Sequence, residues 1–188
     1  MRPMGLGTGK IKTTQMAVAL LFPEDVSREI DEVRERFGSA RARAIVPHIT
    51  VVYPFVALAR TDVVIEELKP VAAMTKPFPI VLDGFNHFDG EPAVAFITVK
   101  NPKPVAELHS TVLGALEGLR EGGSEFELAE FVPHVTLNDS VSRDDIGPLM
   151  SELSKVGFRR EVTVDSFGLF VNDGEGWELI HQFRLGKT

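Results

Sequence analysis

The chain contains no cysteine. That absence excludes a disulfide framework, a thiolate-held zinc or iron–sulfur centre, and a cysteine nucleophile. Long apolar runs are missing as well. The longest, Met16 to Phe22, has the length of a strand, whereas a membrane-crossing helix needs about 20 residues. No membrane partner is therefore expected. Basic charge is scarce: 20 Lys and Arg stand against 27 Asp and Glu, for a net charge of −7. Such a balance argues against wrapping extended nucleic acid through many phosphate contacts, but it leaves room for a short nucleotide or an RNA end. Sixteen glycines and 12 prolines are too few for a low-complexity chain, and 44% hydrophobic residues against 25% charged is an ordinary globular balance. The start Met1-Arg2-Pro3-Met4-Gly5 lacks the apolar core of a secretion signal, so a cytoplasmic location is expected.

What is present falls into strands and helices by its period. Thr14 to Phe22 is apolar, short and followed by Pro23, which predicts a buried strand. Val26, Ile30, Val33 and Phe37 then recur at helical spacing and Gly38 stops the run, predicting a helix over 24–37. Glu29, Asp31, Glu32, Arg34, Glu35 and Arg36 are assigned to its wet face. Five elements then read as written twice. The first set covers 24–37, 44–53, 61–75, 78–88 and 93–100, and the second covers 102–119, 131–138, 143–156, 159–171 and 177–184. Pro70 is expected to kink or split the helix at 61–75, and Pro148 falls in its counterpart. Glu121 to Glu125 reads as a surface turn. The fold class expected is α+β: two lobes related by a pseudo-two-fold duplication, each an antiparallel sheet with two helices, and a site in the central cleft. Residues 1–12 are expected to be a flexible N-terminus, and 13–188 a single bilobal domain acting as a monomer.

The strongest signal is a repeated motif, Pro47-His48-Ile49-Thr50 and Pro133-His134-Val135-Thr136, with the histidines 86 positions apart. At this composition a Pro-His-x-Thr run arises by chance about 0.02 times per chain. Side chains at i and i+2 of a strand share a face. His48 therefore projects with Thr50, and His134 with Thr136, while Ile49 and Val135 go to the core. Two imidazoles and two hydroxyls converging on one cleft supply what in-line attack on a phosphodiester needs: a base, an acid, and donors to the phosphate oxygens. This chemistry calls for no metal and no cofactor. Histidine suits both roles because its ordinary pKa lies near 6.5. A zinc reading lacks a third ligand, although Asp139 lies close to the second motif.

The two His-x-Thr strands in a duplicated α+β chain resemble the 2H phosphoesterase superfamily of 2'-5' RNA ligases, RNA 2',3'-cyclic phosphodiesterases and YjcG-like proteins. The resemblance spans about residues 14–184. It implies a bilobal fold and hydrolysis of 2',3'-cyclic phosphates on nucleotides or RNA ends to a 2'-phosphomonoester, with reversible 2'-5' RNA ligation in some members. It also implies His48 as proton donor, His134 as proton acceptor, and Thr50 and Thr136 as ligands of the phosphate oxygens. The run Val51-Val52-Tyr53-Pro54-Phe55 replaces a strand ending Phe-Leu-Gly in the ligase branch, and so draws the likeness towards the YjcG-like branch. The alternatives are a module that binds a phosphate or RNA end without turnover, and a hydrolase of a non-RNA cyclic phosphodiester.

Other features are weaker. Tyr53 and Phe55 fit either a base-stacking role or the core. Gly5 to Lys10 is one residue short of a phosphate loop and precedes a strand instead of following one. Arg41, Arg43 and Arg184 could draw in a phosphate but read better as solvated surface charges, and His87, His109 and His181 read as ordinary histidines.

Overall fold

The structure, a computed structural model, describes residues 15–121 and 130–186. The apolar run forms β1 (Gln15–Leu21), with Met16, Val18, Ala19 and Leu20 buried. Pro23 leads into α1 (Glu24–Phe37), which carries Glu24 and Asp25 in its first turn and Arg36 in its last, the charge order that suits the helix dipole. The remaining elements are α2 (Ala40–Arg43), β2 (His48–Val56), α3 (Thr61–Met74), β3 (Phe78–Phe88), β4 (Ala93–Val99) and α4 (Lys103–Ala115). After them come β5 (His134–Val141), α5 (Ile146–Val156), β6 (Arg159–Val164), β7 (Ser166–Asn172) and β8 (Trp177–Arg184).

Two four-stranded sheets result, ordered β2-β1-β7-β8 and β5-β4-β3-β6, with every neighbouring pair antiparallel. Helices α3 and α4 pack on the first sheet, and α1 and α5 on the second. The α+β, two-lobed reading therefore holds. Strands β2 and β5, which carry the repeated motif, are edge strands and meet across the seam between the lobes. Their alternation is as expected: Ile49 and Val135 are fully buried, while His48, Thr50, His134 and Thr136 are half-buried towards the seam.

The repeat, however, is framed differently from its linear reading. Each sheet draws on both ends of the chain, since β7 returns to pair with β1 while β3 pairs with β6. The matching positions are β1 with β4, β2 with β5, β7 with β3, and β8 with β6. The first strand belongs inside the repeat, and the stretch 159–171 is two strands, parted at Asp165 and placed in different sheets. Period alone marks a strand; its partner is fixed only by long-range packing.

Three local differences have simple causes. Pro70 sits inside α3 without dividing it, on the exposed face, where water can satisfy the carbonyl left without its donor. Pro148 lies in the first turn of α5, where no backbone donor is needed. Pro54 continues β2 because an edge strand tolerates a missing donor on its open side. Residues 1–12, the Gly5–Lys10 run and residues 122–125 of the 121–125 turn lie outside the described residues. No helix among those described is long and apolar enough to cross a membrane.

Candidate active site

The two motif histidines are held in the same way. Nδ1 of His48 lies 2.8 Å from the Val46 carbonyl, and Nδ1 of His134 lies 2.8 Å from the Val132 carbonyl. A carbonyl only accepts, so each Nδ1 carries the hydrogen, and Nε2 is the nitrogen left to react. Neutral, that Nε2 is a base; charged, it is an acid. Burial makes both rings harder to protonate than a free histidine, with the carbonyl bond opposing it in each case. His48 is pushed further in the same direction by the charges of Arg34 and His134.

A cavity of about 190 Å³ opens between the lobes and is lined by His48, Thr50 and Thr136 among others. It is small beside the roughly 300–1,000 Å³ of ordinary ligand clefts. His134 stands beside it, close enough for its charge to act on His48. Its ring is edge-on to Phe88, with centroids 4.9 Å apart, and tilted against Phe96 at 5.0 Å. The register beside the two motifs differs: Ala19 stands opposite Thr50, where Phe96 stands opposite Thr136.

Arg34, Phe170 and Trp177 were not singled out as site residues by the sequence. Arg34, assigned above to the wet face of α1, is in fact 1% exposed and lines the cavity. The correction has a plain cause, since Arg34 follows Ile30 by four residues and so shares its inward face. Asp139 also lines the cavity; it accepts a hydrogen bond from Ser39 Oγ at 2.6 Å and lies 3.3 Å from Nε of Arg41. Arg41, expected to be an ordinary surface charge, is thereby brought to the rim. Phe170 and Trp177 supply aromatic surface at the cavity. Phe55, a candidate for stacking, is instead a core residue at 5% exposure. His109 is buried, stacked on Phe131, with Nδ1 against the Val51 carbonyl behind β2. Among the described residues no three His, Asp or Glu side chains gather into a metal-binding set.

Comparison with known proteins agrees with this architecture. The profile of the 2'-5' RNA ligase superfamily matches residues 22–176. A protein of Oceanobacillus iheyensis, whose name gives phosphoesterase as a provisional activity, is 27% identical over 173 residues, covering 90% of this chain and 97% of its own. A protein of Geobacillus kaustophilus with the same kind of name is 29% identical over 171 residues, covering 90% and 95%. In fold, the chain is similar to E. coli LigT, crystallised with 3'-AMP, at a TM-score of 0.65, 16% identity, and 93% and 99% coverage. It is also similar to TT0787 of Thermus thermophilus, at a TM-score of 0.64, 17% identity, and 92% and 98% coverage. The paired His-x-Thr strands, the two-sheet fold and the profile match converge: this chain belongs to the 2'-5' RNA ligase superfamily, the 2H phosphoesterases.

Proposed function

We propose that this phosphoesterase hydrolyses the 2',3'-cyclic phosphate of a nucleotide or a short RNA end to a 2'-phosphomonoester. The observation that carries the reading is the pair of half-buried imidazoles, each with Nδ1 pinned to a carbonyl and each beside a threonine on its own edge strand. One ring, neutral, takes a proton from water as the water oxygen bonds to phosphorus. The P–O3' bond breaks with its electron pair going to O3', and the second ring, charged, gives that oxygen its proton. Thr50 and Thr136 donate to the phosphate oxygens as charge builds on them.

The small cavity favours a mononucleotide-sized group, and the net charge of −7 weighs against a long RNA partner. LigT, similar in fold, has been crystallised with 3'-AMP, which fits a substrate of that size. A screen of 2',3'-cyclic mononucleotides and cyclic-phosphate-ended oligonucleotides in excess chelator tests the reading. The expected result is turnover to the 2'-phosphomonoester with EDTA present. Binding without turnover would favour a phosphate-end binding module, and activity that vanishes with EDTA and returns with one divalent ion would replace the scheme by a metallohydrolase.

A further inference from the structure

The reaction scheme leaves one buried charge unused. Arg34 points from α1 into the seam, and its donors are spent on the backbone of the motif segments. Nε and Nη2 reach the Thr136 carbonyl at 3.1 and 2.9 Å, and Nη1 reaches the Ile45 carbonyl at 2.9 Å. Its nearest carboxylate is Asp31, half-exposed and 3.5 Å away. Burial lowers its pKa, yet arginine starts so high that it keeps its charge at pH 7. A cation almost wholly removed from water is costly unless something answers both its donors and its charge. Carbonyls answer the donors, the half-exposed Asp31 answers the charge from one side, and the guanidinium also lines the cavity.

The two carbonyls are informative in themselves. Thr136 belongs to the second motif, two residues beyond His134. Ile45 immediately precedes Val46, whose carbonyl holds the His48 ring. One planar fork therefore spans both halves of the site, a geometry a single ammonium cannot reproduce.

We propose that Arg34 is the positioning residue of the phosphoester site: its guanidinium clamps the His134 strand to the segment that carries His48, and sets a permanent positive charge behind the cavity. This rests on the reading that the two imidazoles are the reacting groups. Around His48 the charged and titratable groups are Arg34 with its partner Asp31 on α1, Arg41 from α2, and His134 and Asp139 from β5, with the His109 ring on α4 behind its strand. Arg41 and Asp139 are paired with each other at the rim; Arg34, whose own carboxylate Asp31 is half-exposed, is the buried fixed charge that lines the cavity and acts on the ring.

Arg34→Met and Arg34→Lys in the full chain separate clamp from charge. Three quantities are read: the NMR titration of each imidazole, the affinity for inorganic phosphate, and kcat and KM for a 2',3'-cyclic mononucleotide. In Arg34→Met the His48 midpoint should move up, phosphate should bind about 10-fold or more weakly, and kcat/KM should fall by roughly 100-fold or more. In Arg34→Lys the charge survives and the fork does not. The midpoint and phosphate affinity should then stay near parental values while kcat falls at least about 10-fold with little change in KM. A folded Arg34→Met with an unmoved midpoint and unchanged phosphate affinity would reduce Arg34 to a structural ion. Should that variant not fold, parental kcat in Arg34→Lys overturns the clamp, and a displaced midpoint there overturns the charge. If the parent turns over no cyclic phosphate, the substrate reading fails, while the titrations and phosphate binding still judge Arg34.

Discussion

At the residue scale the two histidines have the same local text and different surroundings. Phe88 and Phe96 lie against His134, while the charge of Arg34 opposes protonation of His48. The family resemblance gives His48 the acid's role and His134 the base's. A substrate whose leaving group needs no proton, such as a p-nitrophenyl phosphodiester, tests that order: it should restore His48→Ala and not His134→Ala, and the opposite pattern would exchange the roles. The same burial bears on stability. Both rings are held below the ordinary histidine value, so the unfolded chain binds protons first. The contribution is full above about pH 6.5 and is lost as pH falls from there through the folded-state pKa values. Melting temperature measured from pH 7.5 to 5 should accordingly fall less in His48→Gln, His134→Gln than in the parent, and equal slopes would refute the linkage. Under the proposed scheme the threonines donate to the transition state: Thr50→Val or Thr136→Val should each cost about 10²–10³ in kcat, and unchanged kinetics in both would leave them as strand formers.

At the element scale, the C-terminal end of α1 is fastened to β5 by three consecutive residues of that strand. Arg34 donates to the Thr136 carbonyl, Asn138 Nδ2 donates to the Phe37 carbonyl at 2.9 Å, and a Cβ at Gly38 would stand 2.9 Å from the Leu137 carbonyl. The same Cβ would meet the Arg34 carbonyl at 2.5 Å, so helix and strand approach this closely only because residue 38 is glycine. Gly38→Ala should therefore cost about 1–3 kcal/mol of stability and lower kcat by displacing Arg34. Thermal melts and kinetics check it together, and a variant as stable and active as the parent would contradict the close approach. Helices and strands were legible here because periods of 3.6 and 2 follow from burial of one face. The partner of each strand was not, because the return of β7 to β1 joins distant parts of the chain. Arg34 was misassigned for a related reason. Its charge places it outside, while its spacing from Ile30 places it inside, and only the carbonyls waiting in the seam decide the conflict.

At the scale of the whole molecule, the placement of the motif was readable from two copies of four residues, since strand alternation alone puts each histidine beside its threonine. The asymmetry between the lobes was not, because it resides in residues brought alongside by the sheets. Small Ala19 beside Thr50 lines the cavity, whereas bulky Phe96 beside Thr136 stands against the His134 ring, so under the proposed function the body of a nucleotide is expected on the His48 side. Ala19→Phe should raise KM for a cyclic nucleotide about 10-fold or more by filling that space, while inhibition by inorganic phosphate changes much less. Equal loss of both would place the nucleotide elsewhere. His87→Ala and His181→Ala serve as controls for histidine chemistry, whereas His109, stacked in the core behind β2, is expected to act through stability. The most direct measurement is the rate of 2',3'-cyclic nucleotide hydrolysis in chelator by the parent, His48→Ala, His134→Ala and the double variant, each shown to be folded. Each single variant should lose about 10²–10⁴ in kcat/KM, and the double should lose little more than the worse single, because the rings act as a unit. A folded double variant that hydrolyses the substrate at a rate comparable to the parent contradicts the account.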